Sequence, residues 1–153
     1  MSRVRVAPCE LGLGLFASEA IATGENILRL EGPEITLAQV RAKGTLAANA
    51  LQIGIERYLD LQAPGRYVNH SCSPNAGIRD DVWLIALEKI APGAEIRFDY
   101  STTISDGWTM PCRCGSTECR SLVGPFLLLP LRLRMSYSIL QIVQGFIIDG
   151  LNA

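Results

Sequence analysis

The chain has little of several things that would mark the commoner function classes. Histidine occurs once, at position 70. A lone histidine with no nucleophile poised beside it argues against general-base catalysis of the Ser-His or Cys-His kind. No Cys-x-x-Cys pair is present, which removes the usual dithiol redox motif. Basic residues are not clustered, and 14 Lys plus Arg stand against 15 Asp plus Glu, for a net charge of −1. No strong field draws such a surface to nucleic acid or acidic lipid, so DNA or RNA is not the expected ligand. Arg3 and Arg5 have no apolar run behind them, so the sequence reads as having no signal peptide. The cleanest apolar run, Met135 to Ile148, is shorter than the roughly 20 residues a membrane helix needs. The expectation is an intracellular protein, with cytoplasm and nucleus undecided.

What is present fits one domain with a sizeable core, in 153 residues of which 48% are hydrophobic. Short apolar or alternating segments are bounded by Gly and Pro through the first hundred residues. Strands are expected at 4–6, 26–31, 51–55, 58–61, 81–87 and 95–98, giving a mainly β domain. One helix is expected from Leu37 to about Ala50, with Thr36 as N-cap and Gly44 as its weak point. Ile21-Ala22-Thr23-Gly24 is echoed by Ile90-Ala91-Pro92-Gly93, which reads as two similar tight turns. After Phe126 an apolar tail reads as a C-terminal helix, packed on the core or on a partner subunit, with self-association through it left open.

Five cysteines in a reducing compartment point to metal more than to disulfides. Cys112, Cys114 and Cys119 form Cys-x-Cys-x4-Cys, a thiolate set suited to zinc. Three ligands leave a tetrahedron open. Cys72, Cys9 and His70 are candidates for the fourth, with Cys72 favoured because a Ser-Pro turn follows it and can aim its sulfur. With four protein ligands the zinc would be structural rather than hydrolytic. Gly12-Leu13-Gly14 follows a strand and lets backbone approach a ligand, though it lacks the third glycine of a dinucleotide motif. Tyr100 ends an apolar strand beside Asp99.

In their order along the chain, these segments resemble the SET-domain protein lysine methyltransferases with a post-SET zinc segment. The resemblance is carried by Gly12-Leu13-Gly14-Leu15-Phe16-Ala17, Arg66-Tyr67-Val68-Asn69-His70-Ser71-Cys72-Ser73-Pro74-Asn75, Glu95-Ile96-Arg97-Phe98-Asp99-Tyr100, and the three downstream cysteines. It implies a β-clip fold of short strands with one or two short helices, in which the central and last motifs pack as a pseudoknot. It implies a SET domain over 3–102, a post-SET zinc segment over 108–124 and a tail over 125–153. It implies S-adenosylmethionine bound by Leu11, Gly12, Leu13, Gly14, Arg66, Asn69 and His70, with Trp108 on the adenine side. Zinc would be held by Cys72, Cys112, Cys114 and Cys119. The expected reaction is methyl transfer to a lysine of a protein substrate, with Tyr100 as the catalytic phenol. Phe98 at the product-multiplicity position implies di- or trimethylation. Two departures bear on this. No tyrosine stands at 49–53, where many members carry one on the channel wall, and the insert between Glu31 and Asn49 is short. The missing tyrosine supports the alternative of a SET-fold binding module without catalysis. A small zinc-stabilised interaction domain with an unrelated ligand is the third reading.

Overall fold

A computed structural model of the chain describes residues 2–152. Ala153, the last residue assigned to the tail, lies outside them. Among the described residues, twelve short strands fall into three small sheets and one two-stranded ribbon. The first sheet has the order β1-β2-β10-β7. Strands β1 (Val4–Cys9) and β2 (Gly12–Ala17) form a hairpin with Val4 opposite Ala17 and Cys9 opposite Gly12. β1 runs beyond Val6, through Pro8, because it is the sheet's edge and Pro8 owes no hydrogen bond on its open side. β10 (Glu95–Phe98) pairs antiparallel with β2 and parallel with β7 (Asn69–His70). That parallel pair sets Arg97 opposite Asn69 and Phe98 opposite His70. The central and last sequence motifs are thereby bonded to each other.

The second sheet places β3 (Asn26–Arg29), β9 (Trp83–Ala86) and β8 (Ala76–Arg79) side by side. The third joins β4 (Glu34–Thr36), β6 (Arg57–Asp60) and β5 (Ala50–Gly54). Leu15, Ile21, Ile78, Leu84, Ile90 and Ile96, all within 2% of full burial, are central to the main core. The two echoed turns meet there: Ile21 and Ile90 exchange backbone hydrogen bonds of 3.0 and 2.9 Å.

Helix α1 (Leu37–Ala42) starts where expected and stops early. Thr36 accepts from the Gln39 N–H at 3.3 Å, and the Gln39 side chain accepts from Thr36 N–H at 2.8 Å, a reciprocal cap. Gly44 takes φ +59°, a left-handed value that ends an α-helix, and a 3-10 turn carries the chain from Gly44 to Asn49. The ribbon β11 (Met110–Pro111) and β12 (Leu122–Val123) brackets the cysteine-rich loop.

The tail is two helices rather than one, α2 (Leu131–Ile139) and α3 (Gly145–Leu151). Gln141, at φ +59°, breaks them apart. Tyr137, Ile142 and Ile147 pack with Phe126, Leu129 and Ile85 in a second core. Among the described residues no helix is long and apolar enough to cross a membrane.

Candidate functional site

The four cysteines expected to bind metal converge. The sulfurs of Cys72, Cys112, Cys114 and Cys119 all lie within 4.8 Å of one another. Cys112 Sγ is 3.8 Å from both Cys72 Sγ and Cys119 Sγ. A tetrahedron with bonds of about 2.3 Å has edges of about 3.8 Å, so the spacing fits zinc. Burial raises the thiol pKa values of Cys72 and Cys112. Burial opposes ionisation of Cys114 too, but N–H groups of Cys72 and Ser116 and the neighbouring thiols bring it down to about 6. Of these three thiols Cys114 is the one most easily ionised, and thiolate is the form in which cysteine ligates a metal. Cys9 stands apart from this set, beside Asn69 on the β1–β2 side, with Asn69 Nδ2 at 3.5 Å from its sulfur.

His70 links this centre to Tyr100. The Tyr100 backbone N–H donates to His70 Nδ1 at 3.0 Å. Nδ1 is therefore the acceptor, and in the neutral ring the proton sits on Nε2, which lies 3.3 Å from Cys72 Sγ. Burial, with Arg120 and Arg97 nearby, holds the ring's pKa down at about 4 despite Asp99. The ring is neutral and positions its neighbours; its 3.7 Å approach to the Asp99 carboxylate is not an ion pair.

Asp99 lies inside the last sequence motif, between Phe98 and Tyr100, and organises the turn after it. Its side chain is fully buried. Oδ1 accepts from Ser101 N–H at 3.0 Å and Arg120 Nη2 at 2.9 Å, while Oδ2 accepts from the Tyr137 hydroxyl at 2.9 Å. Asp99 caps the 3-10 turn Tyr100–Thr102 and so sets the direction of Tyr100. The Tyr100 hydroxyl donates to the Val68 carbonyl at 2.6 Å. Burial, then the charge of Glu95, raises the phenol's pKa, so it stays protonated. With its proton committed to Val68, the oxygen keeps its lone pairs for an incoming N–H donor.

A cavity of about 370 Å³ opens between α1, β5, β6 and the loop after Tyr100. Phe98, Tyr100, Arg66 and Trp108 all line it. The Phe98 and Tyr100 rings are 4.8 Å apart, tilted by 42°. Leu11 to Gly14, Asn69 and His70 do not line it. Asn69 Nδ2 instead donates to Leu13 O and Glu95 Oε1, both at 3.0 Å, fixing the β1–β2 tip against β7 and β10. Leu11 and Leu13 at that tip are 55% and 44% exposed, leaving an apolar surface open beside Asn69. The structure therefore divides the expected site residues into a cavity group and a hairpin group, with His70 buried between them.

The wall that lacks a tyrosine at 49–53 has one from the next strand. Tyr58 on β6 pairs across from Gln52 on β5 and lines the cavity. Its hydroxyl donates to Asp106 Oδ2 at 2.6 Å, and Asp106 Oδ1 accepts from Trp108 N–H at 2.8 Å. Gln52, buried at 4% exposure, clasps Ser105 from both ends of its amide, at 3.1 Å each. These contacts hold 103–108 as a cavity wall. A glutamine among apolar strand residues and a Tyr at an inward strand position are the only sequence signals for them.

Comparison with known proteins gives matching results. The SET-domain family model matches residues 12–101. The chain is 27% identical over 141 residues to histone-lysine N-methyltransferase ASHH1 of Arabidopsis thaliana, covering 80% of this chain and 29% of that protein. It is 30% identical over 141 residues to the H3 lysine-36 specific histone-lysine N-methyltransferase of Candida albicans, covering 80% and 17% respectively. Against histone-lysine N-methyltransferase SETD1B of Homo sapiens it is 30% identical over 128 residues, covering 72% and 6%. The chain spans less than a third of the length of each of these relatives.

Proposed function

This chain belongs to the SET-domain family, and we propose that it transfers methyl groups from S-adenosylmethionine to the side-chain amine of a lysine in a protein substrate. The observation that carries this reading is the Tyr100 phenol. It faces a largely apolar cavity, and its proton is already donated to Val68 O at 2.6 Å.

S-adenosylmethionine, when bound, supplies an electrophilic methyl group on a sulfonium. The residues expected to hold it offer suitable chemistry. Arg66 presents a cation, Trp108 a flat apolar ring, and Leu11, Gly12, Leu13 and Gly14 a close-lying backbone braced by Asn69. His70 contributes as a strut: it fixes the Tyr100 backbone from one nitrogen and faces the Cys72 sulfur with the other. Zinc would be held by Cys72, Cys112, Cys114 and Cys119 and would fold the 108–124 segment, keeping Trp108 at the cavity.

An ammonium has no lone pair to attack with, so the substrate amine must arrive neutral. Leu51, Leu61, Val68 and Phe98 make the cavity wall poor at solvating charge, which lowers the amine's pKa. Tyr100's oxygen accepts one amine N–H and turns the nitrogen lone pair toward the methyl donor. Alignment supplies much of the acceleration in such an in-line displacement, so a fixed phenol matters more than a general base. Phe98 adds bulk without a hydroxyl, so no side-chain oxygen at that point holds a water that would restrict room for methyl groups. We therefore assign di- or trimethylation. The domain roles are a SET domain at 3–102, a post-SET zinc segment at 108–124 and a tail from 125 onward. The direct test is incubation with labelled S-adenosylmethionine and a cell lysate. Label on protein lysine supports the reading, and absence of both transfer and calorimetric cofactor binding overturns it.

A further inference from the structure

The tail beyond Gly124 is built into the site. Tyr137 on α2 is 4% exposed, and its hydroxyl is the donor to Asp99 Oδ2. Asp99 Oδ1 already serves Ser101 and Arg120. Without Tyr137, one oxygen of a buried carboxylate would lose its donor, and that carboxylate caps the turn bearing Tyr100. The tail grips the same turn a second time. Gln144, with no exposed surface, donates its backbone N–H to Thr102 O at 3.1 Å, at the far end of the turn. Its amide Nε2 donates to Gln52 O at 2.7 Å and Asp81 O at 3.0 Å. Gln52 is the residue that clasps Ser105 on the cavity wall. Ile142 seats the segment on β8, where a Cβ on Gly77 would come within 2.7 Å of it. Only glycine leaves room for that contact.

We propose that the C-terminal segment is a clamp on the Tyr100 turn, with Tyr137 and Gln144 as positioning residues for methyl transfer. The clamp acts through Asp99 and Thr102 at the turn's two ends and through Gln52 at the cavity wall. It rests on the methyltransferase reading and extends it to residues outside the matched family segment.

The test uses the full chain with Tyr137→Phe and, separately, Gln144→Met, each nearly isosteric. Zinc-loaded protein is assayed for cofactor affinity by calorimetry, for kcat and KM on a protein substrate, and for amide hydrogen exchange at 99–105, at a temperature where all forms are folded. The expected result is a fall in kcat of about tenfold or more in each variant, with KM and cofactor affinity little changed. Exchange at 100–103 should quicken in step. A purely structural tail would lower thermal stability and leave the kcat-to-KM split unmoved. Either folded variant with unchanged kcat and unchanged exchange at 100–103 overturns the clamp. Should the wild-type chain neither bind cofactor nor transfer methyl, the methyltransferase reading falls, and the exchange data alone then decide whether the tail fixes this turn.

Discussion

Two aromatic positions flank the proposed chemistry, and each has a substitution that separates its role from folding. Phe98 is 5% exposed and its ring lies 4.8 Å from that of Tyr100. Phe98→Tyr adds one hydroxyl to a tight wall. Intact-mass analysis of product should then shift toward fewer methyl groups; an unchanged distribution would remove Phe98 from product control. Tyr58 fills the wall left bare at 49–53. Its phenol pKa is raised by burial and then by Asp106, so it remains a donor. Tyr58→Phe frees Asp106, slackens the wall beside Trp108 and should weaken cofactor or substrate binding several-fold, read as KM. Tyr58 is not legible as a wall residue in the sequence because positions 49–53 and 58 are neighbours across a β-ladder, not along the chain. Arg120, Tyr137 and their shared link to Asp99 escape a sequence reading for the same reason. Each is unremarkable alone, and only three-dimensional proximity makes them a network.

Among the elements, the cysteine-rich loop is the most legible. Thiolate spacing is a local property, and Cys-x-Cys-x4-Cys survives translation from sequence to geometry. The fourth ligand is open in the sequence between Cys72, Cys9 and His70, and the structure gathers Cys72 with the other three while placing Cys9 elsewhere. Cys72→Ser should abolish stoichiometric zinc binding, measured by atomic absorption on purified protein, whereas Cys9→Ser should retain it. Equal retention in both would sever Cys72 from the centre. Strands with strong alternation, such as 95–98, stand where the pattern puts them, and the start of α1 is marked by its Thr36 cap. The two-residue strand β7 and strand β8 cannot be read locally. They lie in a Ser-, Asn- and Pro-rich stretch and exist because β10 and β9 pair with them. The tail reads as one helix in the sequence because apolar residues recur from 135 to 148 with no charge or proline between them. The break at Gln141 arises from docking onto β8 and from Gln144 reaching inward.

At the scale of the molecule, three small sheets share one core, and two satellite clusters complete it: one under the cysteine-rich loop, one under the tail. The family resemblance covers the main core and the cysteines, while the tail cluster is built largely by residues beyond Gly124. Ile142 is 1% exposed and sits on Gly77. Ile142→Ala should cost about 2–5 kcal/mol of unfolding free energy by denaturant titration, typical of a buried aliphatic truncated to alanine. A change under about 0.5 kcal/mol, the range of substitutions at exposed sites, would mean the tail is a loose appendage. The helix face of Leu131, Met135 and Ile139, at 61%, 56% and 78% exposure, is left uncovered by this packing.

Tyr100→Phe tests the central claim most directly, since it deletes the one oxygen held between Val68 and the cavity and leaves the ring in place. The measurement is single-turnover methyl transfer alongside calorimetric binding of S-adenosylmethionine. The account predicts a rate reduced by about a hundredfold or more with cofactor affinity within a few-fold of wild type. A Tyr100→Phe protein that transfers methyl at the wild-type rate would contradict it.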